Sequence, residues 1–366
     1  MLNVLQVIDS LPPTSGGSRF VVNLSKKLLK KGVNVELLLI DGENSHFLDE
    51  VLKSNIKVHI LGKGINRFHP KYIQKVAKYL DKYDLIHVHI FPASYIVSLA
   101  SFLNKKSAPI IFTEHNAFNN RATNFIFKKI ENFIYSRFSK VIGITPEVKD
   151  FIFKNLDIKK DDVHIIINGI NIEAITLEKV KSKMELGFQQ SDILILMAAR
   201  FSKQKDYQTL IKALSQLPEN YKLIMCGDGP ERQECELLVK NLNLNNRALF
   251  LGNRSDIYSI MKASDINVLS SHYEGFGLSI VEAMAAKKPV VASNVPGMSN
   301  VVKDAGLLFE VGDDAKLAQH LLELGSDENY YTKVSAQCFK RAQQYSLDAM
   351  TEQYITQYHK MLNTKS

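Results

Sequence analysis

A chain of 366 residues is longer than one hydrophobic core usually organises and suits two domains of somewhat under about 200 residues each. Its 45% apolar and 23% charged residues exclude a disordered chain, and no apolar run approaches the roughly 18 residues of a membrane-spanning helix. The charge excess of +8 falls wholly on residues 1–180, which carry 25 Lys and Arg against 17 Asp and Glu, whereas residues 181–366 carry 21 of each. A basic first half suits an anionic partner (nucleic acid, membrane surface or anionic substrate) and equally an ordinary solubilising surface. Cys226, Cys235 and Cys338 are odd in number and irregularly spaced, which argues against a disulfide framework and a zinc site. The opening MLNVLQVIDS reads as a strand and not as a signal peptide, so a cytoplasmic protein is expected.

In chain order, Val4–Ile8 predicts a strand broken only by Gln6, and Phe20–Lys30 a helix with Phe20, Val21, Leu24 and Leu28 on one face. Val35–Ile40, Val58–Leu61, Leu85–His89, Pro109–Thr113 and Val141–Ile144 read as further strands, with helices between several of them. Apolar runs without polar alternation suit a parallel sheet covered on both faces. The rhythm restarts after about residue 180. Strands are expected at Ile193–Ala198, Tyr221–Cys226, Ala248–Leu251, Ile266–Leu269 and Pro289–Ala292, and helices around Tyr207–Ser215, Glu231–Asn241, Ile257–Ala263, Leu278–Ala286 and Ala315–Leu324. The result is an α/β chain of two doubly wound parallel-sheet domains, residues 1–172 and 173–345. A final helix within 346–366, with Met350, Tyr354, Tyr358 and Met361 on a stripe, is expected to pack back on the first.

Ligands of such sheets sit beyond the carboxyl ends of the strands, so the loops there are the ones to read. After the first strand, Gly16 and Gly17 precede a helix whose free N–H groups suit an anion; a plain strand-to-helix loop reads the same way. After Ile193–Ala198 come Arg200 and Lys205, a guanidinium and an ammonium suited to a diphosphate that gathers charge as a bond breaks. The sharpest feature is Glu274-Gly275-Phe276-Gly277-Leu278, where a glycine-flanked turn opens a helix that carries Glu282. Two glutamates on one such unit can grip different parts of one ligand. His87 and His89 alternate on a strand like a metal pair, but no third ligand is evident, and they read as structural or cleft-lining.

The run EGFGLSIVE from Glu274 to Glu282 resembles the glutamate–seven–glutamate signature of retaining glycosyltransferase family 4, whose members have the GT-B fold of two facing Rossmann-like domains. The resemblance spans nearly the whole chain. It takes in Gly16-Gly17, His115 in Thr113-Glu-His-Asn, the Arg200 and Lys205 pair, the Asn-Gly-Ile-Asn linker at 168–171, Cys226-Gly-Asp-Gly-Pro230, and Leu251-Gly-Asn253-Arg254. It implies that Gly16, Gly17 and their neighbours hold a diphosphate by backbone N–H, and that Arg200 with Lys205 neutralises it. Glu274 would hold donor-sugar hydroxyls beside Gly275, Phe276, Gly277 and Leu278, Glu282 the ribose, and Asn253 with Arg254 the base. His115 would lie near sugar and acceptor. Where the family often has a glutamate in the loop after the fifth strand of the second domain, this chain offers Asn300 in Pro296-Gly-Met-Ser-Asn300, which puts an acidic role there in doubt.

The implied activity is transfer of a sugar from a nucleotide donor, UDP preferred, to an acceptor hydroxyl with retention by front-face departure and attack. There is no Asp-x-Asp, so no metal and no cofactor are expected. Residues 120–140, NRATNFIFKKIENFIYSRFSK, read as an aromatic and basic helix able to rest on an anionic bilayer, or as a helix packing its apolar side on the sheet. The expected partners are a nucleotide sugar, a saccharide acceptor carried on a lipid, and an anionic membrane at the cytoplasmic face; nucleic acid is not among them. Two alternatives stand beside this. One is a Rossmann oxidoreductase, whose fingerprint Gly227-Asp-Gly-Pro-Glu-Arg232 fails at its third glycine. The other is a GT-B nucleotide-sugar isomerase or a non-catalytic nucleotide-sugar binder.

Overall fold

A computed structural model describes the chain except for residues 13–14, 44, 46, 65–68, 105, 116–119 and 364–366, and the side chains of residues 120, 125 and 126. The chain divides into two compact units, Met1–Gly169 with Leu347–Ser366, and Ile170–Ser346.

The first unit holds seven parallel strands: β1 Asn3–Ile8, β2 Asn34–Leu39, β3 Lys57–Ile60, β4 Leu85–His89, β5 Ile110–Glu114, β6 Lys140–Gly143 and β7 Val163–Ile165, in the order β3-β2-β1-β4-β5-β6-β7. The central strands are buried along their length, as both-face coverage demands. The helix Gly16–Lys30 starts four residues before its apolar stripe does, because Ser15 adopts an extended conformation and its Oγ accepts from the Ser18 N–H. Its buried face shares a core with Leu347, Met350, Tyr354, Tyr358 and Met361 of the last helix, Leu347–Asn363.

The second unit holds six parallel strands: β8 Ile193–Ala198, β9 Tyr221–Cys226, β10 Ala248–Gly252, β11 Ile266–Leu269, β12 Val290–Ser293 and β13 Leu307–Phe309, in the order β10-β9-β8-β11-β12-β13. Each sheet reverses its order once, between β1 and β4 and between β8 and β11. Such a reversal opens a crevice at the carboxyl edge, because neighbouring crossovers leave in opposite directions.

The structure adds and corrects elements. β7 and β13 have three residues each, too few to stand out from their polar flanks. The helix Glu328–Ala342 escapes periodicity because only Val334, Cys338 and Ala342 are buried, a narrow stripe on a polar sequence. Residues 120–140 are not one helix. Asn120–Thr123 and Phe125–Tyr135 are separate, and Lys140 already begins β6. The expected contribution of Phe125 and Ile126 side chains lies outside the described residues, and so does Asn116 beside His115.

Candidate active site

In the second unit the reversal point brings the loop after β8 against the loop after β11. The backbone N–H of His272 donates to Gln204 O at 2.8 Å, the Gln204 amide donates to Tyr273 O at 2.8 Å, and the Ser270 hydroxyl donates to Asp206 O at 2.8 Å. This lacing sets the Lys205 ammonium on the Glu274 carboxylate, whose same oxygen accepts from Ser271 Oγ at 2.8 Å. Both members are sheltered, Lys205 at 18% and Glu274 at 8% side-chain exposure, so screening weakens the pair little. Gly277 then turns the chain with φ of 78°, and among the described residues the helix Leu278–Ala285 begins with no side-chain cap. Phe276 is buried edge-on against Tyr345 and anchors the turn.

Two glycine positions hold these loops together. Gly227 has φ of 137°, and a Cβ there would lie 1.9 Å from Ala199 O, so only glycine lets the β9 loop run against the backbone that carries Arg200. Gly297, with φ of 84°, packs where a Cβ would meet Glu274 O at 2.5 Å and Gly275 O at 2.6 Å. The loop in which an acid was missing therefore buttresses the backbone of Glu274 through a glycine, while Asn300 offers its backbone oxygen to Arg341 at 2.9 Å.

Arg200 is exposed and makes no ion pair among the described residues. Asn253 and Arg254 are also exposed, and the Arg254 guanidinium grips Asp256 through two 2.8 Å bonds, with Lys181 on the same carboxylate. That double grip holds the Asp256 carboxyl well below the usual range. Asp256 stands at the start of the helix Ile257–Ala263, whose Tyr258 Oη donates to Glu282 at 2.8 Å. Lys205 and Glu274 thus meet directly, and Glu282 is tied to the helix that follows Arg254. Sequence reading missed Ser271, Gln204 and Tyr258. Ser271, three residues before Glu274 in the same loop, was the one with a visible signal.

In the first unit, Gly16 and Gly17 form the first turn of the helix after β1. The space left by Gly17 is taken by Ile90, whose Cδ1 would stand 2.4 Å from a Cβ there. Phe20 of that helix lies edge-on to His115 at 4.8 Å between ring centroids. Burial pushes the His115 pKa down to about 3, and those of His87 and His89 well below the ordinary value, so all three rings are neutral at physiological pH. His87 and His89 are fully buried in a hydrogen-bonded cluster with Gln6, Thr113 and two tyrosines of the last helix. No group of three or more His, Cys, Asp or Glu among the described residues could hold a metal ion.

Comparison with known proteins follows the same division. The model of Glycosyltransferase Family 4 matches residues 14–174, and that of Glycosyl transferases group 1 matches residues 178–344. The N-acetyl-alpha-D-glucosaminyl L-malate synthase of Bacillus anthracis is 30% identical over 55% of this chain; the chain spans 54% of that relative, about half its length. The UDP-Gal:alpha-D-GlcNAc-diphosphoundecaprenol alpha-1,3-galactosyltransferase of Escherichia coli is 28% identical over 68% of each chain. Among solved structures, Anabaena Alr3699/HepE in complex with UDP and glucose superposes with a TM-score of 0.87 at 23% identity, covering 98% of this chain and 100% of its own, a likeness of fold. With two doubly wound sheets, the laced Lys205–Glu274 loop and both family models in register along it, the chain belongs to the family 4 type of GT-B glycosyltransferases.

Proposed function

We propose that this glycosyltransferase moves a hexose or N-acetylhexosamine from a UDP-sugar to a hydroxyl of a lipid-linked saccharide, with retention, in polysaccharide assembly at the cytoplasmic face of a membrane. The unit containing β8–β13 binds the donor, and the unit containing β1–β7 serves the acceptor. The observation that carries the reading is the sheltered Lys205–Glu274 pair beside the uncapped helix at Gly277. A glycosyl donor already contains its leaving group, so the work is to stabilise the departing diphosphate and hold the sugar. Lys205 and the exposed Arg200 supply positive charge, with N–H groups of the Gly16-Gly17 turn on the diphosphate. Glu274 takes sugar hydroxyls, Glu282 the ribose, and Asn253 with Arg254 the base, while neutral His115 hydrogen-bonds sugar or acceptor. These side chains and helix ends stand in for a metal, and the reaction calls for no cofactor. The UDP-sugar preference draws support from the UDP bound to the Anabaena protein and from the donor in the Escherichia coli relative's name; that name also carries a diphosphoundecaprenol-linked acceptor.

Membrane contact has support in the first unit. Phe102 and Leu103 of the helix Ala93–Leu103 and Phe127, Ile130 and Phe133 of the helix Phe125–Tyr135 are each 43–60% exposed. Phe102 stacks on Phe133 at 4.9 Å, with the Arg137 guanidinium over Phe102. Glu131, the one carboxylate of the second helix, is turned inward to Arg121 and Tyr95, so Lys128 and Lys129 carry the helix's charge. An apolar patch with a basic rim fits an anionic bilayer.

Incubation with UDP-, GDP- and ADP-sugars and a lipid-linked saccharide, read as nucleotide release and product anomer by NMR, tests the whole. A UDP-sugar consumed only with acceptor, giving retained configuration, is the expected result. An inverted product, or donor rearranged without acceptor, overturns it. Flotation with acidic liposomes should weaken when Lys128, Lys129 and Arg137 are reversed to Glu; unchanged binding rejects that surface.

A further inference from the structure

Gln6 is the one fully buried polar residue in the run NVLQVI of β1, and it lies in the middle of the seven-stranded sheet. An amide left unpaired there would leave a buried polar group unsatisfied, which is costly. The parallel register places Gln6 beside His87 and His89 beside Thr113. Alternation along the strands puts His87 and His89 on the same face, and His115, two residues beyond Thr113, continues it. Tyr354 and Tyr358 of the last helix roof the group and are themselves fully buried.

Distances give the direction of each hydrogen bond. Gln6 Oε1 lies 2.5 Å from His89 Nε2, and Gln6 Nε2 lies 3.4 Å from Tyr358 Oη. An approach of 2.5 Å is too short for nitrogen against nitrogen, so the carbonyl end of the amide faces His89. His89 therefore donates from Nε2, keeps its lone pair on Nδ1, and accepts from His115 Nε2–H across 3.4 Å. His115 is left with its lone pair on Nδ1. On the other side, Tyr358 accepts from the amide and donates to His87 Nδ1 at 2.6 Å, and His87 Nε2–H donates to Thr113 Oγ1 at 2.8 Å. Hydroxyls rotate and imidazoles exchange tautomers, but an amide carries its donor and acceptor on fixed atoms. Gln6 is therefore the member whose orientation sets all the others.

We propose that Gln6, acting through His89, fixes which ring nitrogen of His115 carries the proton, making Gln6, His89 and Tyr358 positioning residues that leave His115 an Nδ1 acceptor. The proposal rests on the reading that His115 touches sugar or acceptor. An acceptor nitrogen held in one place orients a hydroxyl of the sugar or of the attacking saccharide, where a mixture of tautomers would orient it only part of the time. Since burial keeps the three imidazoles neutral, the tautomer and not the charge is the variable. The last helix, distant in sequence, thereby has a part in the chemistry through Tyr358.

The test combines a spectroscopic readout with kinetics. In protein labelled with 15N-histidine, the His115 ring, identified by its loss in His115→Ala, should show a single tautomer protonated at Nε2, and Gln6→Leu should make it a mixture. Gln6→Leu should lower kcat about 10- to 100-fold with the donor KM within about twofold, and should cost nothing further in a His115→Ala background. His89→Asn, whose amide oxygen keeps an acceptor facing His115, should retain kcat within about threefold, whereas His89→Leu should behave as Gln6→Leu does. An unchanged tautomer in Gln6→Leu, or an equal loss of kcat with and without His115, overturns the proposal. Should Gln6→Leu not fold, the His89 pair decides it by the same readouts. If the wild-type protein transfers no sugar, the glycosyl-transfer specificity fails, and the tautomer spectra still decide the role of Gln6.

Discussion

Near the reversal point of the seven-stranded sheet six neutral polar side chains are joined to one another, Gln6, His87, His89, Thr113, Tyr354 and Tyr358. At the reversal point of the six-stranded sheet stand charged ones, Lys205 on Glu274 with exposed Arg200 in the same loop system. Two sheets of one topology use the same crevice in different ways. A neutral network resists displacement, because each bond fixes the next, and it can hold a ring in one orientation. A charged pair in a sheltered place supplies a field, and a field is what a departing diphosphate needs. Under the proposed function, the difference divides the labour between orientation and electrostatics.

The largest expected effect lies on the charged side. Glu274→Ala should lower kcat/KM for the donor about 1,000-fold, near 4 kcal/mol, and should also lower the urea midpoint, because Lys205 is left sheltered and unpaired. An activity loss below about tenfold would remove the pair from the chemistry. Gly227→Ala comes next. With the Cβ driven onto Ala199 O, it should destabilise the second unit by about 3 kcal/mol or more, read by urea unfolding. Arg200→Ala should cost about 100-fold in kcat with stability unchanged within about 0.5 kcal/mol, since the side chain is exposed; a large loss of stability would make it structural instead.

The smallest effect belongs to the neutral side and sharpens the contrast. The folded-state pKa values of His87, His89 and His115 are depressed, so below about pH 6.5, and for His115 down to about 3, the unfolded chain binds protons that the folded chain refuses. Stability from these rings is full above about pH 6.5 and declines as pH falls through that window. The unfolding free energy should fall between pH 7 and pH 5, with roughly 1–2 kcal/mol of the drop coming from His115, and correspondingly less in His115→Ala. No such drop would mean that the cluster accepts charge.

Much of this was legible in the residues. EGFGLSIVE announced the loop and helix of Glu274 and Glu282, and mainly apolar runs announced eleven of the strands. The His87-Val-His89 alternation was visible too, but its meaning was not, because the partners that complete it stand at Gln6, Thr113, Tyr354 and Tyr358. The helix Glu328–Ala342 stayed hidden for lack of an apolar face, and residues 120–140 looked like one helix because their aromatic density masks the break before Phe125.

The sequence by itself determined the strand–helix rhythm, the glycine-punctuated turns and the cationic loop after β8, because periodicity and φ preferences act over a few residues. Only the tertiary structure decided that Lys205 sits on Glu274, 69 positions away, and that Gln6 reaches Tyr358, 352 positions away. Parallel strands bring together residues far apart in the chain, and the register that pairs them is set by the packing of the whole sheet and its helices.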